Sequence, residues 1–344
     1  MQISLGITLA LAAGAINGLF ALPMKAARNW SWENVWLPFS VMGLVLFPRL
    51  IAFSAVPQLE SAYGQVELTT LLIPILWGMA VYTGSLLFGL SLAYIGNALA
   101  FALLVGSMSI VGVLTPIVAF QPAVLGAAGG RWILLGIASV FLGLIACAVA
   151  GVLRGRAETH DESRGKRLSM IPGMILAIAG GALSGLLSLG MSMGWANTIA
   201  AAAVRHGRAT QASAANAVLL LVLLGGAVPN CVYCIYLLYR NGTWKRYRSF
   251  RSYWLIILAM ATMYSGSVAL WGISTTGNML GKLGPSVGWA LFIGAIVVSS
   301  NIGGFATGEW KYAGGKAWGV MAGGLALILA AMGFIGYGNY LLNV

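Results

Sequence analysis

Seven carboxylates, two histidines and three cysteines are the stock from which this 344-residue chain could build acid–base, metal or nucleophilic chemistry. The carboxylates are Glu33, Glu60, Glu67, Glu158, Asp161, Glu162 and Glu309, and all fall in polar connections or at the ends of apolar runs. No HExxH pattern and no glycine-rich phosphate loop with its lysine is present. Cys147 lies within one apolar run, and Cys231 and Cys234 form "CVYC" in another. With no second cysteine pair and both histidines, His160 and His206, in polar stretches, the three read as small buried hydrophobes. No catalytic residue, metal or cofactor is expected. An integral membrane enzyme would need a cluster of such groups near one face, and the sequence does not supply it.

What remains is neutral hydrogen-bonding chemistry inside apolar segments. Asn17 stands in the first apolar run, and Ser184 is its counterpart later in the chain. Trp77, Tyr82, Thr83 and Ser85 punctuate the third run; Tyr264, Ser265, Ser267 and Trp271 punctuate the eighth. Asn278 and Asn301 flank or enter the ninth. Amides and hydroxyls both donate and accept, as sugar hydroxyls require, and an aromatic ring can cover the apolar face of a sugar. With no charge in the middle of an apolar run, a strongly charged solute would lack a buried counter-charge. A neutral, polar solute fits better. The alternative for each of these side chains is helix–helix hydrogen bonding or anchoring at the membrane surface.

The elements that position these groups are membrane spans. The chain is 60% hydrophobic and 8% charged, with a mean hydropathy of +0.90. Soluble domains carry about 25% charged residues. A span needs about 20 mostly apolar residues, and ten such cores are expected, near 3–22, 34–54, 69–92, 97–119, 130–152, 169–192, 212–239, 253–275, 283–304 and 316–341. The first lacks a basic leader and a clear cleavage site, so it reads as a retained helix. The fold class is therefore an all-α integral membrane protein.

The two halves of the chain match. "LALAAGAINGLFALPM" (9–24) aligns without gaps on "LAIAGGALSGLLSLGM" (176–191), "YTGS" (82–85) on "YSGS" (264–267), and "GNALAFALLVG" (96–106) on "GPSVGWALFIG" (284–294). Five spans per half is odd, so the second half enters the membrane inverted, as in many secondary transporters. The expected units are a first repeat over 1–153, a basic linker over 154–168 and an inverted repeat over 169–344. Both copies of the first span carry Gly-x-x-x-Gly, Gly14 with Gly18 and Gly181 with Gly185, which allows close helix contact or sliding.

The net charge of +12 would suggest nucleic acid in a soluble protein, but here the basic residues flank spans. Connections after odd-numbered spans hold most of them. The positive-inside rule puts those connections in the cytoplasm and both termini outside. The bilayer is the expected partner, nucleic acid is not, and a second copy of the chain is left open. "ALPMKAARNWSWENVW" (21–36) then reads as a cytoplasmic turn. Pro23 ends the first span, the three tryptophans Trp30, Trp32 and Trp36 sit at the interface, Ser31 or Asn34 caps the second span, and Glu33 lies in its first turn. Lys25 and Glu33 are candidates for a gate or for ion coupling, with Glu309 next by position.

"FALPMKAARNWSWENVW", "YIGNALAFALLVGSMSIVGVLTPI", "GGRWILLGI" and "GEWKYAGGKA" closely resemble the L-rhamnose–proton symporter family of the drug/metabolite transporter superfamily. The resemblance spans nearly the whole chain and implies a ten-helix inner-membrane carrier that imports L-rhamnose or a related deoxy-sugar with a proton, by alternating access. Exporters or permeases for another small polar metabolite share this fold. A channel or sensor fits less well, because matched inverted halves favour alternating access over a fixed pore.

Overall fold

A computed structural model describes residues 2–158, 170–276, 279–308 and 310–343. Among these residues the chain is all-α, with no strand. Ten helical segments are long and apolar enough to cross a membrane: α1 (Gln2–Ala26), α2 (Trp32–Ala55), α3 (Leu68–Leu92), α4 (Leu99–Phe120), α5 (Ala128–Arg154), α6 (Met170–Met191), α7 (Ala215–Asn241), α8 (Tyr253–Ser274), α9 (Gly284–Ala306) and α10 (Gly315–Leu342). The ten expected cores fall on these segments in order. Within lipid only helices satisfy every backbone polar group inside one segment, which is why hydropathy alone located them.

Two short helices were not expected. Leu59–Gly64 follows α2, and Gly194–His206 fills the connection between α6 and α7. They pack on each other through Val56, Leu59, Ala196, Ile199 and Ala203. The Gln58 amide donates to the Gly207 carbonyl at 3.0 Å. The Tyr63 hydroxyl ties this cap to α7 by donating to the Ala217 carbonyl at 2.6 Å. Burial raises the Tyr63 phenol, so it stays protonated and remains a donor.

Glycines set which spans touch. A Cβ at Gly14 or Gly18 on α1 would collide with the Phe292 and Ile296 carbonyls and the Ser299 hydroxyl of α9. A Cβ at Gly181 or Gly185 on α6 would collide with the Leu104 and Met108 carbonyls and the Ser107 hydroxyl of α4. So α1 lies on α9 along one glycine seam, and α6 lies on α4 along another. Such contacts replace the missing hydrophobic drive between helices in lipid. α5 and α10 pair in the same way through Gly129, Gly136 and Gly143 against Gly338, Ala331 and Gly324. Between α3 and α4 the chain reverses at Gly96, whose φ of 75° suits a residue without a side chain.

Two spans contain a π-helical turn, Met42–Leu46 in α2 and Ile110–Leu114 in α4. Each includes a glycine, and each glycine carbonyl is capped by a serine from the other half of the chain. Ser265 of α8 donates to Gly43 at 2.7 Å, and Ser188 of α6 donates to Gly112 at 2.7 Å. π turns leave carbonyls poorly paired within the helix and recur at functional sites.

Candidate functional site

At the level of the π turns the two halves meet through side chains. The Tyr82 and Tyr264 hydroxyls lie 2.6 Å apart, from α3 and α8. The Asn17 amide donates to the Ser267 hydroxyl at 2.8 Å, joining α1 to α8. Ser267 in turn donates to the Tyr264 carbonyl at 2.7 Å. Four of the sequence candidates, Asn17, Tyr82, Tyr264 and Ser267, thus form one polar layer, and Ser85 borders it by donating to the Tyr82 carbonyl at 2.7 Å. A buried donor without a partner is costly in an apolar bundle, and here each finds one: Asn17 and the tyrosine pair across helix boundaries, Ser267 and Ser85 within their own helices.

Aromatic side chains close the bundle on one side of this layer. Phe20 packs 5.1 Å from the Tyr264 ring and 5.5 Å from Phe39. Trp36 stacks on Trp32 at 5.2 Å and packs 4.9 Å from Phe39. The Trp36 indole N–H donates to the Asn230 side-chain oxygen of α7 at 2.9 Å. Beyond this plug lies the basic face, which carries the connections after α1 and α7.

Lys25 and Glu33 belong to that face. Glu33 is 4% exposed and is the only buried carboxylate among the described residues. Its Oε1 accepts from the Asn241 amide at 3.0 Å and from the Thr243 hydroxyl at 2.8 Å. The Asn34 amide donates to the Thr243 carbonyl at 3.1 Å, the Trp30 indole to the Arg246 carbonyl at 3.1 Å, and the Arg246 guanidinium to the Ser31 hydroxyl at 2.7 Å. Ser31 holds the N-cap position of α2, with Asn34 Oδ1 accepting its backbone N–H at 3.3 Å. Burial pushes the neighbouring Tyr247 phenol up to about 12, so no second anion faces Glu33 from that ring. The segment from Trp30 to Asn34 therefore clamps the α7–α8 connection. Lys25 makes a separate link, donating to the Thr307 hydroxyl at the end of α9 at 2.9 Å. Glu33 and Lys25 do not reach the tyrosine layer.

On the other side of the tyrosine layer the bundle opens. A cavity of about 520 Å³ is bounded by the ends of α4, α6 and α8, the starts of α7 and α9, and the helix Gly194–His206. Its polar lining is Gln121, Ser192, Asn197, Gln211, Thr275, Thr276 and Ser286, and among the described residues Arg205 is the one charged side chain lining it. Asn197, Ala200, Ala201, Val204 and Arg205 all line it, which is one face of a helix at spacings of three and four. None of these lining residues was among the sequence candidates. That spacing was legible in "NTIAAAAVRHGRATQ", but the segment lies between apolar runs and reads there as a connection.

The remaining candidates are dispersed. Trp77 donates to the Leu186 carbonyl of α6 at 2.7 Å and packs 6.0 Å from Trp195. Asn301 donates to the Val297 carbonyl of its own helix at 2.8 Å. Trp271 is fully buried against Trp289 and Phe292, at 5.1 and 6.0 Å between ring centres. Asn278 and Glu309 lie outside the described residues. Among the described residues no group of three metal-ligating side chains occurs.

This geometry stands beside three comparisons. Residues 1–340 match the family described as L-rhamnose-proton symport protein (RhaT). The L-rhamnose-proton symporter of Yersinia pestis bv. Antiqua (strain Antiqua) is 27% identical over 352 residues, covering 98% of each chain. The protein of the same name from Yersinia pseudotuberculosis serotype I (strain IP32953) is 27% identical over 353 residues, again with 98% of each chain covered. A crystal structure superimposes with a TM-score of 0.56 over 96% of both chains at 15% identity, a likeness of fold.

Proposed function

The chain belongs to the L-rhamnose-proton symport protein family, and we propose that it imports L-rhamnose or a related neutral sugar with a proton, by alternating access. It is a multi-pass membrane transporter; the sugar, the proton and the direction are the proposal. One observation carries the sugar: among the described residues the polar part of the cavity lining is hydroxyls and amides, with Arg205 as the single charge. Such a surface can exchange hydrogen bonds with a polyhydroxylated solute without paying to desolvate an ion.

Alternating access rests on the two glycine seams. α1 on α9 and α6 on α4 are the contacts that an inverted repeat of 1–153 and 169–344 would relate, and smooth seams suit rocking of one repeat against the other. We read the cavity as the outward vestibule, the tyrosine layer as the middle of the path, and the aromatic plug with its Glu33 clamp as the closed inward side. The basic connections support that orientation, with the termini outside, and we read the membrane as the inner one. Glu33 is the carboxylate we assign to proton coupling, because protonating it would weaken two hydrogen bonds that hold the inward side shut.

Uptake of labelled L-rhamnose into proteoliposomes, with and without an inward proton gradient, tests the proposal. Saturable, gradient-driven accumulation is expected. Saturable uptake indifferent to the gradient would remove the proton, and no uptake of L-rhamnose, fucose, lyxose or mannose by folded protein would remove the sugar. Export of another metabolite is not favoured by the family.

A further inference from the structure

The cavity stops one helical turn short of an unusual layer. Four of its boundary residues are Thr275 just past the end of α8, Pro285 and Ser286 on α9, and Ser192 just past the end of α6. One turn deeper on those helices stand Trp271, Trp289 and Ser188. Trp271 is 0% exposed and Trp289 4%, and the indole N–H of each is buried with no hydrogen-bond partner. Their rings meet edge to face at 5.1 Å, with Phe292 stacked 5.5 Å from Trp289. The Ser188 hydroxyl beside them is already committed to the Gly112 and Pro285 carbonyls, at 2.7 and 3.0 Å. Gly112 packs against the Nε1 edge of the Trp289 ring, where a Cβ would collide, so a sugar oxygen reaches that N–H once α4 draws back from α9.

A buried indole N–H is a donor only, and leaving it unpaired is costly. A bundle that pairs Asn17, Tyr82, Ser188 and Ser265 across helices keeps two such donors unpaired side by side, under the floor of its cavity. From this placement we infer that Trp271 and Trp289 are the substrate-binding pair. They donate their indole N–H groups to two oxygens of a sugar that descends one turn from the cavity, while their rings and Phe292 cover its apolar face. The sugar then gains two bonds for which no protein bond has to break, and a solute without suitably placed oxygen acceptors leaves both donors unpaired. This inference rests on the sugar reading above and names the groups that recognise it.

The test is calorimetric titration of purified full-length protein with L-rhamnose, for wild type, Trp271→Phe and Trp289→Phe. Phenylalanine keeps an aromatic face and removes the donor. Each variant is expected to bind about ten-fold more weakly while unfolding at a temperature close to wild type. Wild-type affinity in both variants would overturn the inference and leave the sugar reading standing. No sugar binding by wild type would sink both. Should either variant fold poorly, wild type labelled with 15N-tryptophan gives a second reading: two indole N–H resonances should move downfield on adding L-rhamnose, and a spectrum unchanged at saturating sugar would also overturn it.

Discussion

The hydroxyls of Tyr82 and Tyr264, 182 residues apart in the chain, share a hydrogen bond of 2.6 Å at the centre of the bundle. Each comes from the same position in its half, after aligning "YTGS" with "YSGS". The pair is a bolt between α3 and α8, and any motion that separates those spans must break or carry it.

Tyr82→Phe or Tyr264→Phe alone leaves the partner hydroxyl buried and unpaired, at a cost of about 1–2 kcal/mol. Removing both hydroxyls leaves neither unpaired. The double variant should therefore lose less stability than the two single losses added together, measured by thermal unfolding in detergent. Additive losses would show that the two hydroxyls do not depend on each other.

Asn17→Ala removes the link from α1 to Ser267. Uptake of L-rhamnose should fall several-fold while membrane insertion, judged by expression and monodispersity, stays normal. Normal transport would take Asn17 out of the pathway.

Glu33→Gln keeps an amide oxygen that can still accept from Asn241 and Thr243, but it cannot titrate. Counterflow of labelled sugar should persist, and accumulation driven by a proton gradient should collapse. Equal loss of both would mark Glu33 as a structural clamp; unchanged accumulation would remove it from coupling.

Gly14→Ala and Gly181→Ala test the two seams. Each new methyl meets backbone of the facing span, Phe292 or Leu104, and should cost about 1–3 kcal/mol by overpacking. If the seams are equivalent sliding surfaces, both variants lose transport to a similar degree. Loss at only one seam would break the equivalence.

Asn197→Cys, in a background without Cys147, Cys231 and Cys234, should react with a membrane-impermeant maleimide added outside intact cells. Saturating sugar should slow the reaction. Labelling only after the inner face is exposed would reverse the proposed orientation.

Much of this was legible in the residues. Ten apolar windows gave ten spans, because lipid leaves the backbone no alternative to helix. Tyr82 and Tyr264 stood out because two matching tetrapeptides placed them alike, and Asn17 because its amide lies about two turns deeper than Lys25. The cavity was not legible. Its wall is a helix of alanines between two spans, whose hydropathy is that of a connection and whose lining face emerges only when α4, α8 and α9 are set around it. Trp289 was missed for a related reason: an aromatic in an apolar run reads the same whether it faces lipid, a neighbour or a substrate. The roles of Phe20 and Phe39 in the plug were hidden in the same way, and the π turns leave no pattern at the spacing of side chains.

Among the described residues, the charges near the proposed pathway stand at its two ends, Arg205 at the cavity and Glu33 with Arg246 in the clamp, with neutral groups between. A neutral sugar crossing that interval moves no charge through the electric field of the membrane. On the proposed symport, the work the membrane potential does on transport enters with the coupled proton. For one proton that is about 2.3 kcal/mol per 100 mV, a gain of roughly 50-fold in the sugar ratio the carrier can sustain. Voltage would act as a lever on accumulation and leave the sugar's own passage untouched.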